Sequence, residues 1–158
     1  MAYSLQAVIG AIDLLSATVR RHPAATLVPL RQGLALVPMT DALFDALTDG
    51  ASSDSLGFWK LPGGFGRVLA TLSATSPVAY VEAEYFGGVG RQRAAVWAHS
   101  SLALGPLAEG DDEDESVRPL NGPISRTLAF LGAVHGNHYD EFDAVGLNRH
   151  RKTNGWQR

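Results

Sequence analysis

Alternation of small apolar residues with larger or polar ones runs through residues 77–98, interrupted by Gly87, Gly88 and Gly90. A period of two marks a strand, and glycines supply the positive φ angles of a tight turn, so the segment predicts a β-hairpin. With the turn at Gly87–Gly90, Phe86 faces Arg91 and Glu84 faces Arg93. Ala79, Val81, Ala83 and Tyr85 then share one face with Gln92, Ala94 and Val96. Tyr80, Glu82, Glu84 and Phe86 share the other with Arg91, Arg93 and Trp97. The first face suits packing under a helix. The second, four charges among aromatic rings, is either a solvated sheet surface or a recognition surface.

The remaining elements follow from the same patterns. Leu5, Val8, Ile9, Ile12, Leu15 and Val19 have three-to-four spacing, which predicts a helix over 4–21, capped by Ser4 and ended by His22-Pro23. Thr26–Leu30 and Leu34–Pro38 predict two short strands about Arg31-Gln32-Gly33. Thr40 caps a helix of about ten residues presenting Leu43, Phe44 and Leu47, which Gly50 stops. Ala51–Ser55 is loop by composition, and Leu56–Leu61 is a short strand or an aromatic-anchored loop. Phe65–Leu72 has helical spacing. After a turn at His99-Ser100, Ser101–Leu104 offers a further strand. Pro123 opens a helix carrying Ile124, Leu128 and Leu131, and a short helix is expected near Asp140–Val145. The sum is an α+β domain: an antiparallel sheet of about five strands with helices mainly on one face.

Composition narrows the picture. A chain of 158 residues with 46% hydrophobic and 18% charged residues suits one globular domain spanning 1–158. The absence of cysteine excludes disulfides, thiolate metal sites and a cysteine nucleophile. The N-terminus has no basic stretch before an apolar run, and no apolar stretch reaches the roughly 20 residues that span a bilayer. A cytoplasmic location is the expectation, without membrane contact. The net charge of −3 is uneven: six acids lie within 109–115, and the remaining 13 basic and 10 acidic residues give +3. The segment 108–119 therefore predicts a flexible acidic loop, and 149–158 a solvated polar, basic tail. This balance argues against nucleic acid as a partner.

Several groups can carry chemistry, each with a plainer reading beside it. Glu82 and Glu84 can hold a metal or divide acid and base roles, but neighbouring arginines make cross-strand charge pairing the simpler account. His135, His138 and Asp140 are metal-capable, though Asp140 serves equally as a helix cap with Glu141 and Asp143 in the first turn. Gly87-Gly88-Val89-Gly90 leads into a strand and lacks a following Gly-Lys-Ser/Thr, so it is a turn and not a phosphate cradle. His99 beside Ser100 and Ser101 forms no triad by adjacency and reads as a turn residue. Phe58, Trp59 and Phe65 can line a pocket but more simply anchor the core. Arg149-His150-Arg151-Lys152 can touch phosphates or dock on the chain's own acids.

Tyr80-Val-Glu-Ala-Glu-Tyr-Phe-Gly-Gly-Val-Gly-Arg-Gln92 and Asp140-Glu-Phe-Asp-Ala-Val-Gly-Leu-Asn-Arg-His-Arg151, with Trp156, resemble short actinobacterial proteins of uncharacterised function. Some small proteins of that general kind are immunity proteins for secreted bacterial toxins. The resemblance covers about a third of the chain and carries no catalytic residue across. It implies a cytoplasmic, non-enzymatic protein-binding domain that occludes a toxin's cleft. Tyr80, Glu82, Glu84, Arg91, Arg93 and Trp97 are the expected contacts, and Asp111, Asp112, Glu113 and Asp114 would steer encounter. No catalytic residue or cofactor is expected. Two alternatives stand beside it: a small metal-dependent hydrolase using Glu82, Glu84, His135, His138 and Asp140, and a subunit whose hairpin edge pairs another chain.

Overall fold

The three-to-four spacing of Leu5, Val8, Ile9 and Ile12 is not helical in the folded chain. Tyr3–Ala11 is a strand, β1, and helix α1 begins only at Ile12 and ends at Val19. The reason lies in burial. Leu5, Ala7 and Ile9 enter the core on one side of the sheet while Val8 enters the core on the other. A strand covered on both faces has no polar side to alternate, so its apolar run imitates helical spacing. Ser4 is accordingly a ladder residue opposite Glu84, not a cap.

The computed structural model describes residues 2–48, 56–86, 89–110 and 122–157. After α1, strands β2 (Val28–Pro29) and β3 (Leu34–Pro38) form the expected small hairpin about Gln32 and Gly33, both at positive φ. Helices α2 (Asp41–Leu47) and α3 (Phe65–Leu72) precede three long strands: β4 (Val78–Phe86), β5 (Val89–Ala98) and β6 (Ser101–Gly110). Helices α4 (Pro123–Phe130) and α5 (Glu141–Val145) follow, then 3-10 turns at Leu147–Arg149 and Thr153–Gln157. The strands form one antiparallel sheet in the order β2-β3-β1-β4-β5-β6. The α+β class stands, with six strands where about five were expected.

Local signals place the helices. The Thr40 hydroxyl accepts from Leu43 N at 3.2 Å, and Asp140 Oδ1 accepts from Asp143 N at 2.9 Å, each satisfying an orphan donor of a first turn. Pro123 stands at the start of α4, where a missing N–H costs nothing. The helices divide between the two faces instead of gathering mainly on one. Leu15, Leu43, Phe65 and Leu69 of α1–α3 pack with Val8, Tyr80 and Trp97. Ile124, Leu128, Phe142 and Val145 of α4 and α5 pack with Leu5, Val81 and Val96 on the opposite face.

The end of the chain is a packed element, not a solvated tail. β3 pairs β1 only from Ala7 to Ala11, which leaves the first residues of β1 an open edge. The C-terminal segment fills it: Ser4 N donates to Arg151 O at 2.7 Å, and Gln6 N to Thr153 Oγ1 at 3.0 Å. Trp156, 1% exposed, then enters the core with Arg149 and His150 against its ring. Unpaired strand donors account for this docking. At the other edge, β6 runs to Gly110, so residues 108–110 are strand; residues 111–121, including the acids Asp111, Asp112, Glu113 and Asp114, lie outside the described residues, as do Gly50 and Ala51–Ser55.

Candidate functional site

The long hairpin keeps its predicted faces but not its predicted register. Phe86 pairs Val89, Glu84 pairs Arg91 and Glu82 pairs Arg93. The strand pairing thus reaches Phe86 and Val89, two residues further than expected on the second strand; Gly87 and Gly88 lie outside the described residues. A two-residue slip conserves side-chain parity, so every side chain stays on its expected face while its partner changes.

That face is not one continuous surface. Tyr80, Glu82 and Trp97 are buried, so these three are not available as partner contacts. The cover is the segment Leu56–Leu61 together with α3: Phe58 meets the Tyr80 ring edge-on at a centroid distance of 5.0 Å, and Phe65 joins the same cluster. Leu56–Leu61 contains no strand and is the aromatic-anchored alternative. Phe58 and Phe65 are core anchors as expected, whereas Trp59, between them in sequence, points outward and is 42% exposed.

What anchors the segment is Glu82. Trp59 N donates to its Oε1 at 2.6 Å and Lys60 N to its Oε2 at 2.7 Å. The Tyr80 hydroxyl lies 2.6 Å from the Lys60 carbonyl oxygen and 3.3 Å from Glu82 Oε2. Burial pushes the Glu82 carboxyl up to about 7 from an ordinary 4.5, against the opposing pull of the two amides, the Tyr80 hydroxyl and the Arg93 charge. Burial, and then the carboxylate's proximity, hold the Tyr80 hydroxyl well above its ordinary range. Arg93 Nη1 donates to Leu56 O at 3.3 Å, and its guanidinium fills the space beside Gly57. At φ +83° this position favours glycine. Outside the cover, the Lys60 ammonium pairs with Asp41, whose carboxyl it holds below the usual range.

Beyond the cover the face opens to solvent. Glu84 and Arg91 are exposed, Arg93 is half-buried, and Phe86 is 76% exposed. Arg91 stands 5.3 Å from the centroid of the Trp59 ring. The strand pair therefore presents the Phe86 ring with Glu84 and Arg91, and the covering segment adds the Trp59 ring beside Arg91. Trp59 escaped the pattern because a covering loop has no period to assign its faces; its placement between two core aromatics was the available signal. Gln92 was also missed. From the opposite face its Oε1 accepts from Ile124 N at 2.9 Å, while its Nε2 donates to the Tyr85 hydroxyl at 2.7 Å, tying α4 to β4 and β5.

The proposed metal constellation does not assemble. Glu82 and Glu84 lie on the α1–α3 face, Asp140 caps α5 on the other, and exposed His135 and His138 sit in the turn before it. The sheet separates the two groups, and both Glu82 oxygens are engaged by backbone amides. Among the described residues no three acids or histidines gather as a metal site. The hairpin offers no free edge either, since β1 pairs β4 and β6 pairs β5. His99 and Ser100, at positive φ, form the predicted turn, with His99 N donating to Ser73 O at 3.0 Å. A groove of about 300 Å³ between α1 and α3 is mainly apolar, with Arg21 and His22 on its lining. No helix among the described residues is long and apolar enough to cross a membrane. Compared with family models, curated proteins and solved structures, the chain gives no match.

Proposed function

We propose that this is a protein-binding domain that acts in the bacterial cytoplasm as an immunity protein, blocking the cleft of a cognate toxin. The observation that supports this most is the outer end of the long hairpin. There Phe86, exposed at 76%, shares a face with Glu84 and Arg91, next to a half-exposed Trp59. The Phe86 ring, fixed on a paired strand, loses little entropy on contact, and aromatic residues and arginine dominate the centres of protein interfaces. Charges at the rim of such a patch set orientation and speed encounter. The contact set is therefore Trp59, Glu84, Phe86 and Arg91, with Arg93 at its margin. Asp111, Asp112, Glu113 and Asp114 follow Gly110, which pairs Arg91, and so adjoin this patch in sequence. Their role is to attract a basic cleft.

The test takes the product of the gene immediately upstream of this one as the candidate toxin. The two products are co-expressed, growth rescue is scored, and the affinity of the purified pair is measured. Phe86→Ala and Glu84→Lys are each expected to weaken the complex about tenfold or more while leaving the protein folded, the new lysine opposite Arg91 lowering the thermal midpoint by only a few degrees. Both variants binding as wild type would remove this surface from the reading, and no rescue by wild type would remove the immunity function.

A further inference from the structure

Leu14, Ala17, Thr18 and Arg21 recur at three- and four-residue intervals along α1 and the turn after it, and Val68, Thr71 and Leu72 do so along α3. Such spacing puts each set on one side of its helix. Leu15 and Leu69 hold the two helices on the sheet, so these sets stand above it as the walls of a groove. Its volume, about 300 Å³, is that of a small ligand site. The Thr18 and Thr71 hydroxyls donate to Leu14 O and Arg67 O, each at 3.0 Å, so the walls offer a ligand no free hydroxyl proton. A further apolar space of about 20 Å³ shares Thr18, His22 and Leu72 with the groove and reaches Leu43 and Phe65. Such a space stays dry and accepts an apolar group.

Charge is confined to one end. The lining carries no acid, and its titratable members are Arg21 and His22. Neither side chain has a hydrogen-bond or ion-pair partner among the described residues. The carbonyl end of α1 accounts for basic residues at this place. A guanidinium fork that no acid holds is nonetheless available to a ligand, and it matches a carboxylate with two parallel hydrogen bonds. Arg21 is the one permanent charge on the lining, so a monoanion balances it. The walls set the rest of the ligand. Leu14 to Arg21 spans about 10 Å at roughly 1.5 Å per residue, and the groove holds about ten non-hydrogen atoms at roughly 30 Å³ each. An extended chain of about eight carbons ending in a carboxylate has that size. The narrow space below admits a chain but not a helix, which is about 10 Å across.

We propose that the groove between α1 and α3 binds a free medium-chain acyl carboxylate, its chain along Leu14, Ala17, Val68 and Leu72 and its carboxylate on the Arg21 guanidinium beside His22. The site uses none of Trp59, Glu84, Phe86 or Arg91, so it stands whether or not the hairpin grips a toxin.

The test is a titration of the full chain with octanoate, followed through the backbone amides by NMR at constant pH, with octanol and octylamine as controls. The amides of Leu14, Thr18, Val68 and Leu72 are expected to shift together and saturate, with a dissociation constant on the order of 1 mM or tighter. Octanoate should bind at least about tenfold tighter than octanol, as a charge-assisted hydrogen bond adds, and octylamine should bind more weakly than either. Arg21→Gln should bring octanoate down to the affinity of octanol while octanol itself stays within about twofold. Val68→Glu, which sets an acid on the wall, should weaken octanoate at least about tenfold. Both positions are exposed, so neither change opens the core. Equal affinity for octanoate and octanol, an octanoate preference that survives Arg21→Gln, or shifts scattered away from the groove would each overturn the site. Shifts of the same amides on concentrating the protein alone would give the groove to a second copy, and shifts on adding the product of the upstream gene would give it to that protein; either result also overturns the proposal.

Discussion

Replacing Trp156 by alanine tests whether the C-terminal segment is part of the folded core. A buried aromatic side chain removes about 150–250 Å² from water, worth about 4–6 kcal/mol at 25 cal/mol per Å². Residual compactness of the unfolded chain trims this by up to about 40%. The rings of Trp156 and His150 meet at 4.6 Å and the Arg149 guanidinium lies 5.3 Å from the indole centroid, contacts worth about 0.5–1 kcal/mol each. Against this, the indole N–H is buried with no partner among the described residues, a cost of about 1–3 kcal/mol that the substitution removes. The balance is a loss of about 3 kcal/mol, or a fall of about 1.5 M in the urea midpoint if m is about 2 kcal/mol/M. Trp156→Phe keeps most of the apolar contact and drops the orphan donor, so its cost should stay within about 1 kcal/mol. Urea unfolding followed by circular dichroism measures both. A Trp156→Ala loss below about 1 kcal/mol with unchanged m would mean that the segment does not share the core, and the account of the β1 edge would fall with it.

Two further outcomes follow from buried polar groups. The folded state holds Glu82 near 7 and the unfolded chain near 4.5, so between these values the folded state binds more protons and this group's contribution to stability falls as pH rises. The difference in unfolding free energy between wild type and Glu82→Gln should therefore shift against wild type by about 3 kcal/mol from pH 4.5 to pH 8; a shift of the opposite sign in paired urea titrations would show an ordinary, solvated carboxylate. Gln92→Leu leaves the buried Ile124 amide without its acceptor and should lower stability by about 2 kcal/mol, visible as a drop of several degrees in the thermal midpoint; an unchanged midpoint would show that Gln92 does not tie α4 to the sheet.

Legibility in the sequence followed the range of the interactions. The helices α2, α3, α4 and α5 were readable because their determinants lie within one turn: the Thr40 and Asp140 caps, Pro123 at a first position, the spacing of Phe65 and Leu69. The hairpin strands were readable for the same reason, but their register was not, because three glycines in four residues permit more than one turn length. β1 was misread because a strand buried on both faces loses its alternation. Of the expected contacts, Glu84 and Arg91 lie open and Tyr80, Glu82 and Trp97 do not, and parity alone is blind to that difference.

Side-chain parity along β4 and β5, the capping residues and the absence of cysteine were properties of the chain alone; they assigned faces, helix starts and excluded chemistries before any folding was considered. Which face of the hairpin stays wet depended on where residues 56–72 come to rest, and whether the last residues are free depended on an open edge about 150 residues earlier in the chain. Such contacts are decided by competition among distant segments for the same buried surface and the same unpaired backbone groups. No local period records the winner, and only the assembled sheet reveals it.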